Sequence, residues 1–331
     1  MSILVTGASG FIGQTLASSL LSHQSSPSLI LTDISPPPVP TYTSPTSPKR
    51  QSLAADLTSS ESRAQLLRAA SPLKTVYILH GIMSSGSESN LELGLRVNLD
   101  ATRSLLDDLR THHPGVRVIY TSSCAVYGPQ PSPFEEHLFT EASPTPTPLS
   151  SYGTQKLMIE ALVNDYSRRG LLDGVVVRLP TVIIRPGKPT AAASSFASGI
   201  FREPLAGVEA LLPVKPETRL WNCSVKIVVK NLVYAGVELD TKRFREVGAN
   251  DRRVNLPGKT MSVREMLDAL EAVGGKEVRG LVREERDGDV ERIVEGWAVG
   301  YDTLRARRLG FAEEQELEET VKDYIDGFVK K

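Results

Sequence analysis

An α/β fold is predicted, a doubly wound parallel sheet with a smaller C-terminal domain, and three observations predict it. Short apolar runs alternate with helical patterns through the first half of the chain. Most of these runs are too apolar for burial on one face only, as in strands covered on both sides. A glycine-rich turn follows the first of them directly. The chain has 331 residues, 40% hydrophobic and 23% charged, the composition of an ordinary globular protein with room for roughly two domains.

The elements follow in order. Strands are expected at 3–5, 29–32, 53–55, 76–79, 116–120 and 175–179. Helices are expected between them, notably over 11–23 and over 97–111, where Leu99, Leu105, Leu106 and Leu109 make an apolar stripe. This βαβ rhythm implies a parallel sheet with helices on both faces. Proline marks two breaks, with six prolines in 36–48 and six in 129–148; neither segment can be regular helix or central strand. After Leu179 the rhythm changes. Arg185-Pro186-Gly187-Lys188-Pro189 reads as a turn, and the small-residue stretch 191–207 carries Phe196 and Phe201 as anchors. Ser262-Val263-Arg264-Glu265 has the capping-box pattern and opens a helix through about Val273. A last helix is expected to bury Leu317, Val321, Tyr324 and Phe328, with the acidic run 313–319 on its wet face. The division expected is 1–179 as a Rossmann-type dinucleotide-binding domain and 180–331 as mainly a substrate-binding domain, with some later segments returning to the sheet.

Charge and cysteine usage exclude several function classes. With 38 basic and 39 acidic residues the net charge is −1, so a nucleic-acid partner is not expected. Cys124 and Cys223 stand far apart, which excludes a disulfide framework or a Cys-rich metal site. Both are expected as buried small hydrophobes, and no metal is expected. No apolar run is long enough to span a bilayer, and the first strand begins almost at once, so a cytoplasmic location is expected.

Four motifs carry chemistry. Thr6-Gly7-Ala8-Ser9-Gly10-Phe11-Ile12-Gly13 lies between a strand and a helix. Gly7, Gly10 and Gly13 let the backbone approach a pyrophosphate, and the helix start at Phe11 and Ile12 offers free N–H groups. Asp33 ends the second strand, 20 residues after Gly13. A carboxylate there can accept bonds from ribose hydroxyls and would repel a 2′-phosphate, which favours NAD over NADP. Asp56 and Leu57, after the third strand, are candidates for the adenine region. Tyr152 and Lys156 stand four apart in Tyr152-Gly153-Thr154-Gln155-Lys156, so on a helix they share a face. To act as a base near neutrality the phenol needs its pKa lowered by about 3 units, or about 4 kcal/mol, and a neighbouring ammonium pushes that way. Thr121-Ser122-Ser123-Cys124-Ala125-Val126-Tyr127-Gly128 follows the fifth strand, where a serine hydroxyl faces the cofactor crevice. His80 reads as a structural residue at a strand end.

In this order and these settings the four motifs resemble the short-chain dehydrogenase/reductase superfamily, in its extended branch of sugar epimerases, dehydratases and dehydrogenases. The resemblance implies that Tyr152 is the general base, that Lys156 lowers its pKa and binds nicotinamide ribose, and that Ser123, rather than Ser122, positions the reacting hydroxyl. It places Leu79, Gly81, Asn98, Pro180 and Val182 near the cofactor. Further blocks narrow it: Ser151 to Lys156, Asp165-Tyr166-Ser167-Arg168-Arg169-Gly170, Arg178-Leu179-Pro180-Thr181, Arg185 to Ser194, and Arg202-Glu203-Pro204-Leu205-Ala206-Gly207 are similar to the D-erythronate dehydrogenase group. That implies NAD-dependent oxidation of the C2 hydroxyl of a small sugar acid to a 2-oxo acid, and a homodimer built through helices near 97–111 and 152–168. Two features depart from that group, the long Pro-rich loop 35–50 and the segment Gly81-Ile82-Met83-Ser84-Ser85-Gly86-Ser87. Ser84, Arg185 and Lys188 are the candidate substrate residues beside Ser123 and Tyr152; a guanidinium suits a carboxylate. Arg219 and Trp221 form another polar–aromatic pair in the same half. Two rival readings remain on the sequence: a nucleotide-sugar 4-epimerase with tightly bound NAD, whose Asn-containing turn is missing from Leu179-Pro180-Thr181-Val182-Ile183, and a non-catalytic cofactor-binding protein of the same fold.

Overall fold

The computed structural model describes residues 1–23, 28–41, 49–128, 138–142, 145–189, 192–248 and 251–329. Its strands in chain order are β1 (Ser2–Thr6), β2 (Ser28–Asp33), β3 (Arg50–Ala54), β4 (Leu73–Ile78), β5 (Arg117–Ser123), β6 (Asp173–Leu179), β7 (Thr181–Ile183), β8 (Ala210–Leu212), β9 (Arg219–Ser224), β10 (Arg253–Asn255), β11 (Lys259–Ser262) and β12 (Val282–Glu284). Seven of them form one sheet in the order β10-β6-β5-β4-β1-β2-β3, and every pairing in it is parallel. From β1 the chain builds outward to β2 and β3, then returns to the other side of β1 to lay down β4, β5 and β6. The order reverses between β1 and β4, so a crevice opens beyond the carboxyl ends of these two strands.

The apolar runs explain the two-faced burial. Ile3, Val5, Leu29, Leu31, Ile119, Val175 and Val177 point to one face, into a core shared with the first helix (Phe11–Ser22) and the helix Val225–Val233. Leu4, Ile30, Val76, Ile78, Val118 and Val176 point to the other, against the helices Ser60–Ala70, Thr102–His112 and Ser151–Arg168. This alternation follows from the period of 2 along a strand. β3 differs from its expectation. It begins earlier, at Arg50, and is only half-buried, because it is the sheet's edge. β10 is the segment that returns from the later part of the chain, and it pairs with β6 from Arg253↔Val176 to Asn255↔Arg178.

A second apolar core holds Ile183, Phe196, Phe201, Leu220, Met266, Leu270 and Val321, all after residue 180. It packs around the small sheets β11-β9-β7 and β12-β8. The capping box is present: the Ser262 hydroxyl accepts from the Glu265 N–H, and the Glu265 carboxylate accepts from the Ser262 N–H, opening the helix Val263–Gly274.

Three expectations are corrected. The helix expected over 97–111 is a π-helical turn, Leu95–Ala101, running into Thr102–His112; the widened turn coincides with Asn98, a polar side chain turned inward at 2% exposure. The last helix starts at Leu317, so the acidic run precedes it in part, and Glu314 is docked on the Ser224 N–H at 2.7 Å. Phe328 is 52% exposed rather than core. It lies in the π-helical turn Ile325–Val329, whose extra residue per turn carries it off the apolar stripe and onto the Tyr324 ring, at 5.4 Å. No helix among the described residues is long and apolar enough to cross a membrane. Most of the Pro-rich segments lies outside the described residues.

Candidate active site

The glycine-rich turn is formed where β1 ends. Gly7 has φ +66°, and a Cβ there would lie 2.6 Å from the His80 nitrogen and 2.8 Å from the Leu79 carbonyl carbon. The turn therefore rests on the end of β4 with no space for a side chain. Gly13 is equally crowded: its Cβ would lie 2.6 Å from the Gly7 oxygen. Gly10 is the N-cap of the first helix. It has no side-chain cap, and the first turn carries no acidic residue. The N–H groups of that turn, including those of Phe11 and Ile12, are left for an outside acceptor, at the positive end of the helix. Asp33 reaches across from β2, and its Oδ2 accepts from the Ser9 N–H at 3.0 Å. This donor set beside a carboxylate fits the diphosphate and ribose of a dinucleotide.

Other expected cofactor residues divide. Asp56 is exposed, and its Oδ1 accepts from the Thr58 N–H and hydroxyl, which hold its pKa down. Leu57 is buried in the core at 7% exposure. Gly81 lies beside the site helix, where an added Cβ would come 3.9 Å from Lys156 Nζ. Pro180 and Val182 follow the end of β6 and are buried. Asn98 is occupied by the protein itself. Its Oδ1 accepts from the Ile82 N–H, and its Nδ2 donates to the Ile82 carbonyl, Ser87 Oγ and Gln155 Oε1. It ties the loop after β4 to the site helix.

The site helix, Ser151–Arg168, starts where Ser150 accepts from the Gly153 N–H. Gly153 allows the helix to lie on the loop after β5: a Cβ there would be 2.2 Å from the Ala125 carbonyl oxygen. This contact sets Tyr152 beside Ser123, whose hydroxyl accepts from the Ala125 N–H at 3.1 Å. Lys156, one turn on, is 4% exposed. Its Nζ donates to the Thr121 carbonyl at 2.8 Å and lies 5.6 Å from the Tyr152 ring centre and 4.8 Å from that of Tyr120. The structure thus brings Ser123, Tyr152 and Lys156 together at the carboxyl end of β5.

The electrostatics correct the expectation of a lowered phenol pKa. Burial pushes the Tyr152 phenol up to about 12, and the Ser123 hydroxyl beside it offsets this only in part. Burial also pushes the Lys156 ammonium down to about 8, while Glu160 opposes that shift. The dry surround sets the direction of both shifts. His80 is held neutral at about 3 by burial, with Lys156 adding to the effect. Its two ring nitrogens meet Thr6 Oγ1 at 2.8 Å and Thr102 Oγ1 at 3.1 Å, a structural role as expected.

The substrate candidates are less gathered. Ser84 starts the short helix Ser84–Ser89 and is half-buried. Arg185 is folded back, with Nη2 donating to the Ser194 carbonyl at 3.0 Å and hydroxyl at 3.2 Å. Lys188 is exposed. Arg219 is exposed on β9, while Trp221 packs on Tyr301 at 5.3 Å between ring centres. Cys223 is buried, and burial pushes the half-buried Cys124 thiol up to about 12, so neither is a reactive thiolate. Among the described residues no cluster could hold a metal ion.

Sequence reading missed Glu160 and Arg178. They form an ion pair with N–O 2.6 Å and side chains 1% and 0% exposed, directly behind Lys156. An arginine inside the apolar run Val175–Leu179 was the available signal.

Comparison with known proteins agrees with this geometry. Residues 3–214 match the model of the NAD dependent epimerase/dehydratase family. The chain belongs to that family. It is similar to D-erythronate dehydrogenase of Cupriavidus necator, 41% identical over 98% of both chains, and to D-erythronate dehydrogenase of Haemophilus influenzae, 37% identical over 98% of this chain and 99% of that one. Among solved structures it is similar to a nucleoside-diphosphate-sugar epimerase from Agrobacterium tumefaciens, with TM-score 0.89 and 36% identity over 100% of this chain and 95% of that one. Like other dehydrogenases of the epimerase/dehydratase family, it is an oxidoreductase that uses a nicotinamide cofactor.

Proposed function

We propose that this enzyme uses NAD to oxidise the C2 hydroxyl of a D-erythronate-like sugar acid to the 2-oxo acid. One observation carries the reading: Tyr152 stands beside Ser123 at the carboxyl end of β5, with Lys156 one helical turn along, at the edge where the glycine-rich turn lies. Asp33 favours NAD, since a 2′-phosphate would meet its carboxylate and no Arg or Lys follows it before Lys49. When bound, the nicotinamide supplies the hydride acceptor and a positive ring. Ser123 holds the substrate hydroxyl by a hydrogen bond. Tyr152, as phenolate, takes the hydroxyl proton. Lys156, together with the positive ring, stabilises the negative charge on the phenol oxygen against the burial that raises its pKa, and Arg185, with Lys188 at its rim, draws the substrate carboxylate. The sheet body 1–179 with β10 holds the cofactor and the body from 180 onward holds the substrate. The functional unit is a homodimer through the helices near 97–111 and 152–168.

A second reading, a nucleotide-sugar epimerase, is favoured by the similarity to the Agrobacterium tumefaciens protein. One assay separates the two. The purified protein is incubated with NAD and a panel of four- to six-carbon aldonic acids, with nucleotide sugars as controls. Net NADH formed with an aldonic acid supports the dehydrogenase. Interconversion of a nucleotide sugar without NADH overturns it.

A further inference from the structure

We propose that the buried Glu160–Arg178 pair is the positioning element of the Tyr152–Lys156 pair, fixing the site helix on the sheet and giving the Lys156 ammonium its facing carboxylate. The proposal rests on the Ser123–Tyr152–Lys156 reading above.

The geometry begins with helical spacing. Tyr152, Lys156 and Glu160 follow at intervals of four, so all three lie along one face, the face turned toward the sheet. Glu160 is 0% exposed. Its Oε1 accepts from the Ser122 hydroxyl at 2.5 Å and from Arg178 Nε at 2.9 Å, and its Oε2 accepts from Arg178 Nη2 at 2.6 Å. Ser122 and Arg178 are themselves register partners on β5 and β6. One carboxylate therefore clamps the helix to two strands, immediately before Ser123. Lys156 grips the preceding residue through the Thr121 carbonyl. Two consecutive residues of β5 thus each hold one member of the helical row, Thr121 holding Lys156 and Ser122 holding Glu160, and the next, Ser123, stands beside Tyr152. A slip or rotation of the helix would break both bonds and part Tyr152 from Ser123 together.

The clamp extends toward the later part of the chain. Arg178 Nη1 donates to the Tyr127 hydroxyl at 2.5 Å, and that hydroxyl lies 2.8 Å from Asn255 Oδ1 on β10. The Asn255 N–H donates to Glu141 Oε1 at 2.9 Å. Each atom of the carboxylate and the guanidinium fork is thus directed to a partner.

Stability alone does not require this pair, because buried ion pairs are often replaceable by apolar residues of similar volume at no cost. A carboxylate beside a buried ammonium has a further effect. The charged and titratable groups facing Lys156 are Tyr152 and Glu160 on its own helix, Tyr120 on β5 and His80 after β4; Arg178 on β6 lies behind Glu160. Of these, Glu160 is the anion that favours the protonated lysine.

The test reads Lys156 directly. The titration of Lys156 is followed by NMR in protein carrying ¹³C at the lysine ε-carbons, with Lys156→Arg assigning the resonance. Glu160→Gln keeps the shape and removes the charge. Its Lys156 midpoint should fall by about one unit, while Glu160→Asp should retain the parent value. Cofactor affinity should hold within about twofold, and kcat for NADH formation should drop about tenfold with little change in KM. If Glu160→Gln does not fold, Glu160→Gln/Arg178→Met removes both charges together and should show the same fall in midpoint. An unchanged Lys156 midpoint in the folded variant overturns the proposal. Tyr152→Phe separates this failure from failure of the wider reading: if it keeps parental turnover, the functional assignment falls, whatever Glu160 does.

Discussion

The two ends of the site are built from different materials. At the end proposed for the cofactor the contacts are made to main-chain atoms. The Gly7 turn rests on the backbone of Leu79 and His80, Gly13 on the Gly7 oxygen, and Asp33 holds the Ser9 N–H. At the substrate end the candidate groups are long side chains lying on other side chains or in the open. Arg185 is folded on Ser194, its carbonyl accepts from Arg202 Nη1 at 3.0 Å, and Lys188 is exposed. The first kind of construction admits no added atom. The second can be redrawn by single substitutions. This difference accounts for a family in which cofactor use is common ground and substrates vary, since function resides in the site more than in the fold.

Substitutions at each end should break or sharpen this contrast. Gly7→Ala should have the largest effect. A left-handed backbone and a Cβ at 2.6 Å from the His80 nitrogen should cost about 2–4 kcal/mol, seen as a fall in denaturation midpoint together with lost cofactor binding. Asp33→Ala comes next. It should weaken NAD binding about tenfold by removing a charged acceptor and narrow the preference for NAD over NADP, both measured by titration of nucleotide fluorescence.

The third effect is one of pH. His80 is held neutral, down to about 3, against an ordinary value of 6.5. Between these values the unfolded chain binds a proton that the folded chain does not, so stability rises with pH across that window and is lost as pH falls through it. The slope from this group is at most about 1.4 kcal/mol per pH unit. Unfolding curves at several pH values should lose that part of the slope in His80→Asn. The smallest effect belongs to the open end. Lys188→Ala should change stability by no more than about 0.5 kcal/mol and raise the KM for the sugar acid only modestly; a large stability loss there would contradict the contrast.

Much of the fold was legible because its signals are local. Apolar strands at 3–5 and 175–179, the glycine turn and the Ser262–Glu265 capping box each carry their own physical reason in adjacent residues. The tight turn after β1, with Asp33 beside it, was legible for the same reason. What was hidden depends on long-range packing. Glu160 is one helical turn from Lys156, yet its partners Ser122 and Arg178 arrive from two strands, 38 and 18 residues away. Two of the π-helical turns, at Leu95–Ala101 and Ile325–Val329, break the regular period of helices expected from the sequence, so Phe328 could be counted as core when it is exposed. The raised Tyr152 phenol also escaped the sequence, because neighbours in the chain report charge but not the dryness of the folded site.

The central claim is that Tyr152 takes the substrate proton. It is tested most directly by comparing NADH formation from D-erythronate in the parent and in Tyr152→Phe, each shown by titration to bind NAD. The account predicts rapid NADH formation by the parent and a loss of about 10³-fold in the variant, with unchanged cofactor affinity. A variant that binds NAD and forms NADH at the parental rate would contradict it.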